Sequence, residues 1–113
     1  MKNIESKIQI ACVSWFRLQY PKVKLFAIPN GGNRNAITGA IMKKEGVLAG
    51  VADLLVLKAS KGYHGLFIEM KAPKGRQQDS QKEFETYCIE HHYKYIVCYS
   101  LEQFINEVKK YLC

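Results

Sequence analysis

The chain has 113 residues, with 17 Lys+Arg against 10 Asp+Glu and a formal charge of +7. That length favours one domain, 1–113, with one modest core, and a composition 48% hydrophobic and 24% charged excludes a disordered chain. The positive balance favours an anionic partner, nucleic acid or an acidic membrane surface, while no stretch reaches the ~18–20 uncharged apolar residues of a membrane span.

The first run, Asn3 to Tyr20, carries Ile4, Ile8, Ala11, Trp15 and Leu18 at helical spacing and stops at Pro21. Glu5 and Lys7 interrupt any signal-peptide pattern, which points to a cytoplasmic protein. Val23 to Ile28 reads as a strand, broken by the loop Pro29-Asn30-Gly31-Gly32-Asn33. Ala36 to Glu45 reads as a short helix stopped by Gly46, and Val51 to Leu57 is an apolar run interrupted only by Asp53. After a turn over residues 59–65, Leu66 to Lys71 is a further strand ended by Pro73 and Gly75. Gln78 to His91 is a helix with Phe84, Tyr87, Cys88 and His91 on one side, and Asp79 or Ser80 is its expected N-cap. Tyr95 to Tyr99 is a strand, and Leu101 to Leu112 is a closing helix striped by Leu101, Phe104, Ile105, Val108 and Leu112. The order α-β-α-β-β-α-β-α predicts an α/β fold. In it, helices flank a small mixed sheet with an antiparallel central hairpin and at least one crossover to a parallel strand.

The four cysteines, Cys12, Cys88, Cys98 and Cys113, form no C-x-x-C pair and read as reduced thiols serving as small hydrophobes. His64, His91 and His92 have no zinc-ligand spacing, and His91-His92 reads as a helix end. Trp15 reads as core, and alternation within a strand accounts for Tyr93, Tyr95 and Tyr99 without base stacking.

The chemistry concentrates in the two central strands. A carboxylate within VADLLVL, at Asp53, must be solvated at the strand end, paired or bound to a cation. Glu69 and Lys71 are two apart and project from one face of their strand, while Met70 projects from the other. A hairpin turn near residues 60–64 brings Asp53 opposite residues 69–71. Two acids and a lysine then meet at one end of the hairpin, and with a backbone carbonyl from Met70 they suit a hard divalent cation. Such a cation gives a route to phosphodiester cleavage, with Lys71 orienting or deprotonating the attacking water, or stabilising the developing charge. The plainer alternative is a solvated Glu-x-Lys ion pair.

Glu5, the loop 30-NGGNR-34, 50-GVAD-53, 69-EMK-71 and Gln81 stand in an order that resembles the virus-type replication-repair nuclease (VRR-NUC) family. That family is a branch of the PD-(D/E)xK phosphodiesterases, with a restriction-endonuclease-like fold. The usual proline before the aspartate is replaced by Ala52, which removes no ligand. The resemblance implies Asp53, Glu69 and the Met70 carbonyl as ligands of Mg²⁺ or Mn²⁺, and Lys71 as the catalytic lysine. It implies Glu5 approaching the same cluster through water or a second metal, and Gln81 near the reacting water or phosphate. Asn30, Gly31, Gly32 and Arg34 would contact phosphate oxygens, and Lys74 and Arg76 would contact the DNA backbone beside the cut. The expected activity is a structure-selective DNA endonuclease, a homodimer acting on branched DNA in phage replication, recombination or repair. A non-catalytic basic DNA-binding module is the alternative.

Overall fold

The computed structural model describes residues 2–29 and 36–113. The loop carrying Asn30, Gly31, Gly32 and Arg34 therefore lies outside the described residues. The elements are α1 (Lys2–Gln19), β1 (Leu25–Ala27), α2 (Ala36–Lys44), β2 (Leu54–Val56), β3 (Leu66–Met70), α3 (Asp79–Glu90), β4 (Lys94–Cys98) and α4 (Leu101–Leu112). Their order is the one read from the sequence, with β1, β2 and β3 trimmed by one to four residues and β4 beginning one residue earlier than Tyr95. Among the described residues no helix is long and apolar enough to cross a membrane.

The sheet order is β1-β2-β3-β4. β2 pairs antiparallel with both β1 and β3, and β3 pairs parallel with β4, so α3 is the crossover connection. β2 and β3 are joined through a two-residue turn, with one extra residue on the β2 side (57–59 against 64–65) that shifts the strand register by one from that of the turn. Ser60 and Tyr63 exchange both backbone hydrogen bonds, at 3.0 and 2.8 Å, around Lys61 (φ 52°) and Gly62 (φ 86°).

Alternation on the central strands divides the molecule into two layers. Leu54, Val56, Leu66, Ile68, Met70 and Cys98 face a core completed by α1 and α4. Phe67, Tyr95 and Val97 face the other side, with Cys88 and Phe84 of α3. The buried cysteines behave as small apolar groups. Burial pushes the thiols of Cys12 and Cys88 up to about 11 and that of Cys98 up to about 12, so they stay protonated at neutral pH.

Three helix faces differ from the sequence expectation. On α1, Cys12 and Phe16 are fully buried, whereas Ile4 is 50% and Leu18 80% exposed. The true stripe runs through Ile8, Cys12 and Phe16, because a small thiol and one large ring fit the surface of the sheet. Glu5 stands two turns before Cys12, in line with that stripe, and is half-buried. On α3, Cys88 is buried and Tyr87 exposed; on α4, Tyr111 joins Phe104 and Val108 inside while Leu101 is exposed. Tyr111 is held because its hydroxyl donates to the Lys58 carbonyl at 2.6 Å, a partner that periodicity does not reveal.

Candidate active site

The Leu54↔Ile68 pairing, extended by one step, sets Asp53 across from Glu69 on the face covered by α3. Asp53 Oδ2 accepts a hydrogen bond from the Met70 N–H at 2.7 Å. In a strand the N–H and C=O of one residue point to the same side, so the Met70 carbonyl is directed toward Asp53 as well. The next residue points the other way, and the Lys71 N–H donates to the Cys98 carbonyl on β4 at 2.9 Å.

Glu69 is only 2% exposed, and Lys71 is 8% exposed beside it. The Lys71 Nζ stands 4.0 Å from Glu69 Oε2, the outer limit of an ion pair. That oxygen also accepts from Gln81 Nε2 at 2.8 Å. Glu69 Oε1, by contrast, is buried with no hydrogen-bond partner. Burial is the main cause that pushes the Glu69 carboxyl up to about 8. The negative charge of Asp53 and a carboxyl–carboxyl hydrogen-bonding contact with it add to this, Lys71 opposes it, and Glu5 contributes a further increase.

Gln81 reaches Glu69 because of how α3 begins. Its N-cap is Gln78, in extended backbone (φ −86°, ψ 165°), and not Asp79 or Ser80. Gln81 Oε1 accepts from the Gln78 N–H at 2.8 Å, so its two amide atoms tie the helix start to the buried carboxylate. Only one amide orientation satisfies both bonds, since Gln78 offers a donor and Glu69 an acceptor. Gln78 takes the cap because Gln81 supplies this returning bond, while Ser80 is held by packing. Gly50, in the left-handed region (φ +91°), sits so close that a Cβ there would overlap the Ser80 backbone carbonyl.

Asp53, Glu69, Lys71, Gln81 and the Met70 backbone thus converge. Glu5 is half-buried on α1 and reaches the group through its charge on Glu69. Lys74 and Arg76 are exposed on the turn that leaves Lys71, which is closed by the Gly75 N–H donating to the Ala72 carbonyl at 2.8 Å. Gly50 opens the 50-GVAD-53 element, whereas Gln78 carries no motif signal of its own. Nor does Gln77, whose side chain donates to Tyr95 Oη at 3.2 Å and to Glu85 Oε1 at 3.0 Å.

Among the described residues no three His, Cys, Asp or Glu side chains gather into a metal cluster. Two carboxylates and one carbonyl are nevertheless oxygen donors of the kind a hard cation takes, with water completing the set. The unpartnered Oε1 and the raised carboxyl both mark a group whose ionised form burial disfavours, and a divalent cation would favour that ionised form.

None of the curated proteins matches this chain. A solved structure described as a VRR_NUC domain protein is similar to it with a TM-score of 0.80, at 24% identity, over 96% of this chain and 88% of that one, which shows a common fold. The VRR-NUC domain model matches residues 3–102, nearly the whole sequence, from before Glu5 to beyond β4. On that match the chain belongs to the VRR-NUC family, whose domain implies a nuclease of the PD-(D/E)xK type, a class that generally uses divalent metals.

Proposed function

We propose that this protein is a DNA endonuclease that hydrolyses phosphodiester bonds with Mg²⁺ or Mn²⁺ held by Asp53, Glu69 and the Met70 carbonyl. The observation that carries the reading is the convergence of Asp53 with a buried, incompletely satisfied Glu69 beside Lys71. A bound divalent cation would supply charge neutralisation at a phosphoryl oxygen and acidify water.

The chain's own groups do the rest. Gln81 fixes one Glu69 oxygen and leaves the other for the ion. Asp53 holds the Met70 backbone and so aims its carbonyl. Lys71 places an ammonium where it can orient the attacking water or meet the developing charge on phosphate. Lys74 and Arg76 bind the flanking backbone without reading sequence. Glu5 adds negative charge from α1 and biases the pocket toward a cation.

One such centre cuts one strand, so we assign the protein a homodimeric form that presents two sites to branched DNA, in phage-type replication, recombination or repair. The test is incubation of the purified protein with junction, flap, duplex and single-stranded DNA in Mg²⁺, Mn²⁺ or EDTA. Cleavage of branched DNA, abolished by EDTA and by Asp53→Ala or Glu69→Ala with binding retained, is the expected result. Cleavage that persists in EDTA overturns the mechanism, and binding with no cleavage in any metal leaves a non-catalytic module.

A further inference from the structure

A concavity of about 470 Å³ opens on the α3 side of the sheet, toward the opposite end of β3 from Glu69. Its walls include His64, Phe67, Phe84, Tyr87, His91 and Tyr93, and none of its lining residues carries Asp, Glu, Lys or Arg. Phe67 and Glu69 are two apart on β3, so they share a face and stand roughly 7 Å apart along the strand. α3 spans both places: its first turn carries Gln81 against Glu69, and its last turns carry Tyr87 and His91 at the cavity.

The inner rings are fixed by mutual packing. Phe67 and Phe84 meet edge to face at 5.0 Å, Phe67 and Tyr93 are tilted at 5.6 Å, and the exposed His64 is tilted against Tyr93 at 5.4 Å. The outer pair differs. Tyr87 is 58% exposed yet stacked on His91, with centroids 4.1 Å apart and planes 28° from parallel. The buried members of this layer are Ala52, Cys88 and Tyr95, so the Tyr87–His91 stack is not needed to close the core.

We propose that this cavity receives an unstacked nucleobase of DNA bound at the active site, a reading that rests on the nuclease assignment above. An uncharged lining disfavours a phosphate or a metal ion. Ring faces suit a flat, polarisable partner, and imidazole nitrogens and phenol oxygens at the rim can meet the polar edge of a base. The cavity and the carboxylates lie on one face of the sheet beneath one helix, and Tyr87 and His91 stand roughly 9 and 15 Å beyond Gln81 along α3, within reach of a single strand leaving the site. Bases inside a duplex are already stacked on one another. Those at a flap, junction or single-stranded end are free to enter, so the rings would confer the preference for branched DNA that lysines cannot.

The test is binding in EDTA, where no cleavage occurs. The probes are a DNA flap bearing 2-aminopurine one to three nucleotides from the branch and a duplex bearing the same label. Wild-type protein and Tyr87→Phe should quench the flap probe and leave the duplex probe bright. Tyr87→Ala and His91→Ala should lose most of that quench and bind the flap on the order of tenfold more weakly, with duplex affinity unchanged. Undiminished quenching in Tyr87→Ala overturns the proposal, as does equal weakening on flap and duplex. Loss of a dimer in Tyr87→Ala, read by light scattering, also overturns it, since the rings would then meet a second copy. Absence of cleavage by the wild type in every metal would sink the nuclease reading without altering the quench comparison.

Discussion

Gln81 Nε2 and Glu69 Oε2 are joined by a 2.8 Å hydrogen bond that links the first turn of α3 to the middle of the sheet. The same side chain accepts from the Gln78 N–H at 2.8 Å, so one residue serves both a helix cap and a buried carboxylate.

Gln81→Ala therefore removes two bonds at once. The cap and the carboxylate contact together should cost about 1–3 kcal/mol in urea unfolding. Nuclease turnover should fall at least tenfold with little change in DNA affinity. Gln81→Glu keeps an acceptor for Gln78 but sets a second negative charge against Glu69. It should recover part of the stability and none of the turnover. A Gln81→Ala protein with wild-type turnover would show that this amide only caps the helix.

Gly50 and Gly46 separate backbone strain from contact. Both have positive φ, +91° and +107°, yet a Cβ on Gly46 meets nothing within 4 Å while one on Gly50 would overlap Ser80. Gly46→Ala should cost about 1 kcal/mol, the usual penalty of the left-handed region. Gly50→Ala should cost a further 1–3 kcal/mol, roughly the range for overpacking. It should also displace the start of α3 and with it Gln81. Equal unfolding free energies for the two variants would refute the Gly50–Ser80 contact.

The position of Glu69 has a pH signature. Its carboxyl is raised from 4.5 to about 8 in the folded chain, first by burial and then by Asp53. Between those values the folded state holds a proton that the unfolded state has released, so stability is greatest below about pH 4.5 and falls as pH rises toward 8. In chelator the loss should be on the order of a few kcal/mol, followed by thermal melts across that window, and Glu69→Gln should flatten it. Added Mg²⁺ or Mn²⁺ should restore stability most strongly near pH 8, where the ligand is already ionised. A melting temperature indifferent to both pH and metal would be inconsistent with a cation held at Glu69.

The parts of this site legible in the sequence are those governed by strand alternation. Glu69 and Lys71 share a face because they are two apart, and the hairpin around Lys61-Gly62 brings Asp53 to them once the extra residue on the β2 side of the turn is allowed for. Parts that depend on packing between distant segments were not legible. Gln78 caps α3 although Asp79 and Ser80 are better caps by type, because Gln81 bonds back to it and Ser80 is wedged against Gly50. The α1 stripe was misread for a related reason. Ile4 and Leu18 are the more hydrophobic choices, but the sheet surface accepts Cys12 and Phe16. Glu5 stands half-buried in line with that stripe, close enough for its charge to act on Glu69.

Lys74 and Arg76 test whether DNA lies over the turn that follows β3. Both are exposed, so replacing either with alanine should leave the unfolding free energy within about 0.5 kcal/mol of wild type. If each neutralises one phosphate, each alanine variant should reduce the slope of log affinity against log salt by about 1, whatever the DNA sequence. Lys22→Ala, an exposed lysine beyond the end of α1, provides the control for net charge alone. Fluorescence anisotropy in EDTA at several salt concentrations reads the slopes without cleavage. Equal slopes for Lys22→Ala, Lys74→Ala and Arg76→Ala would mean that the overall charge binds DNA and that this turn has no special place beside the cut.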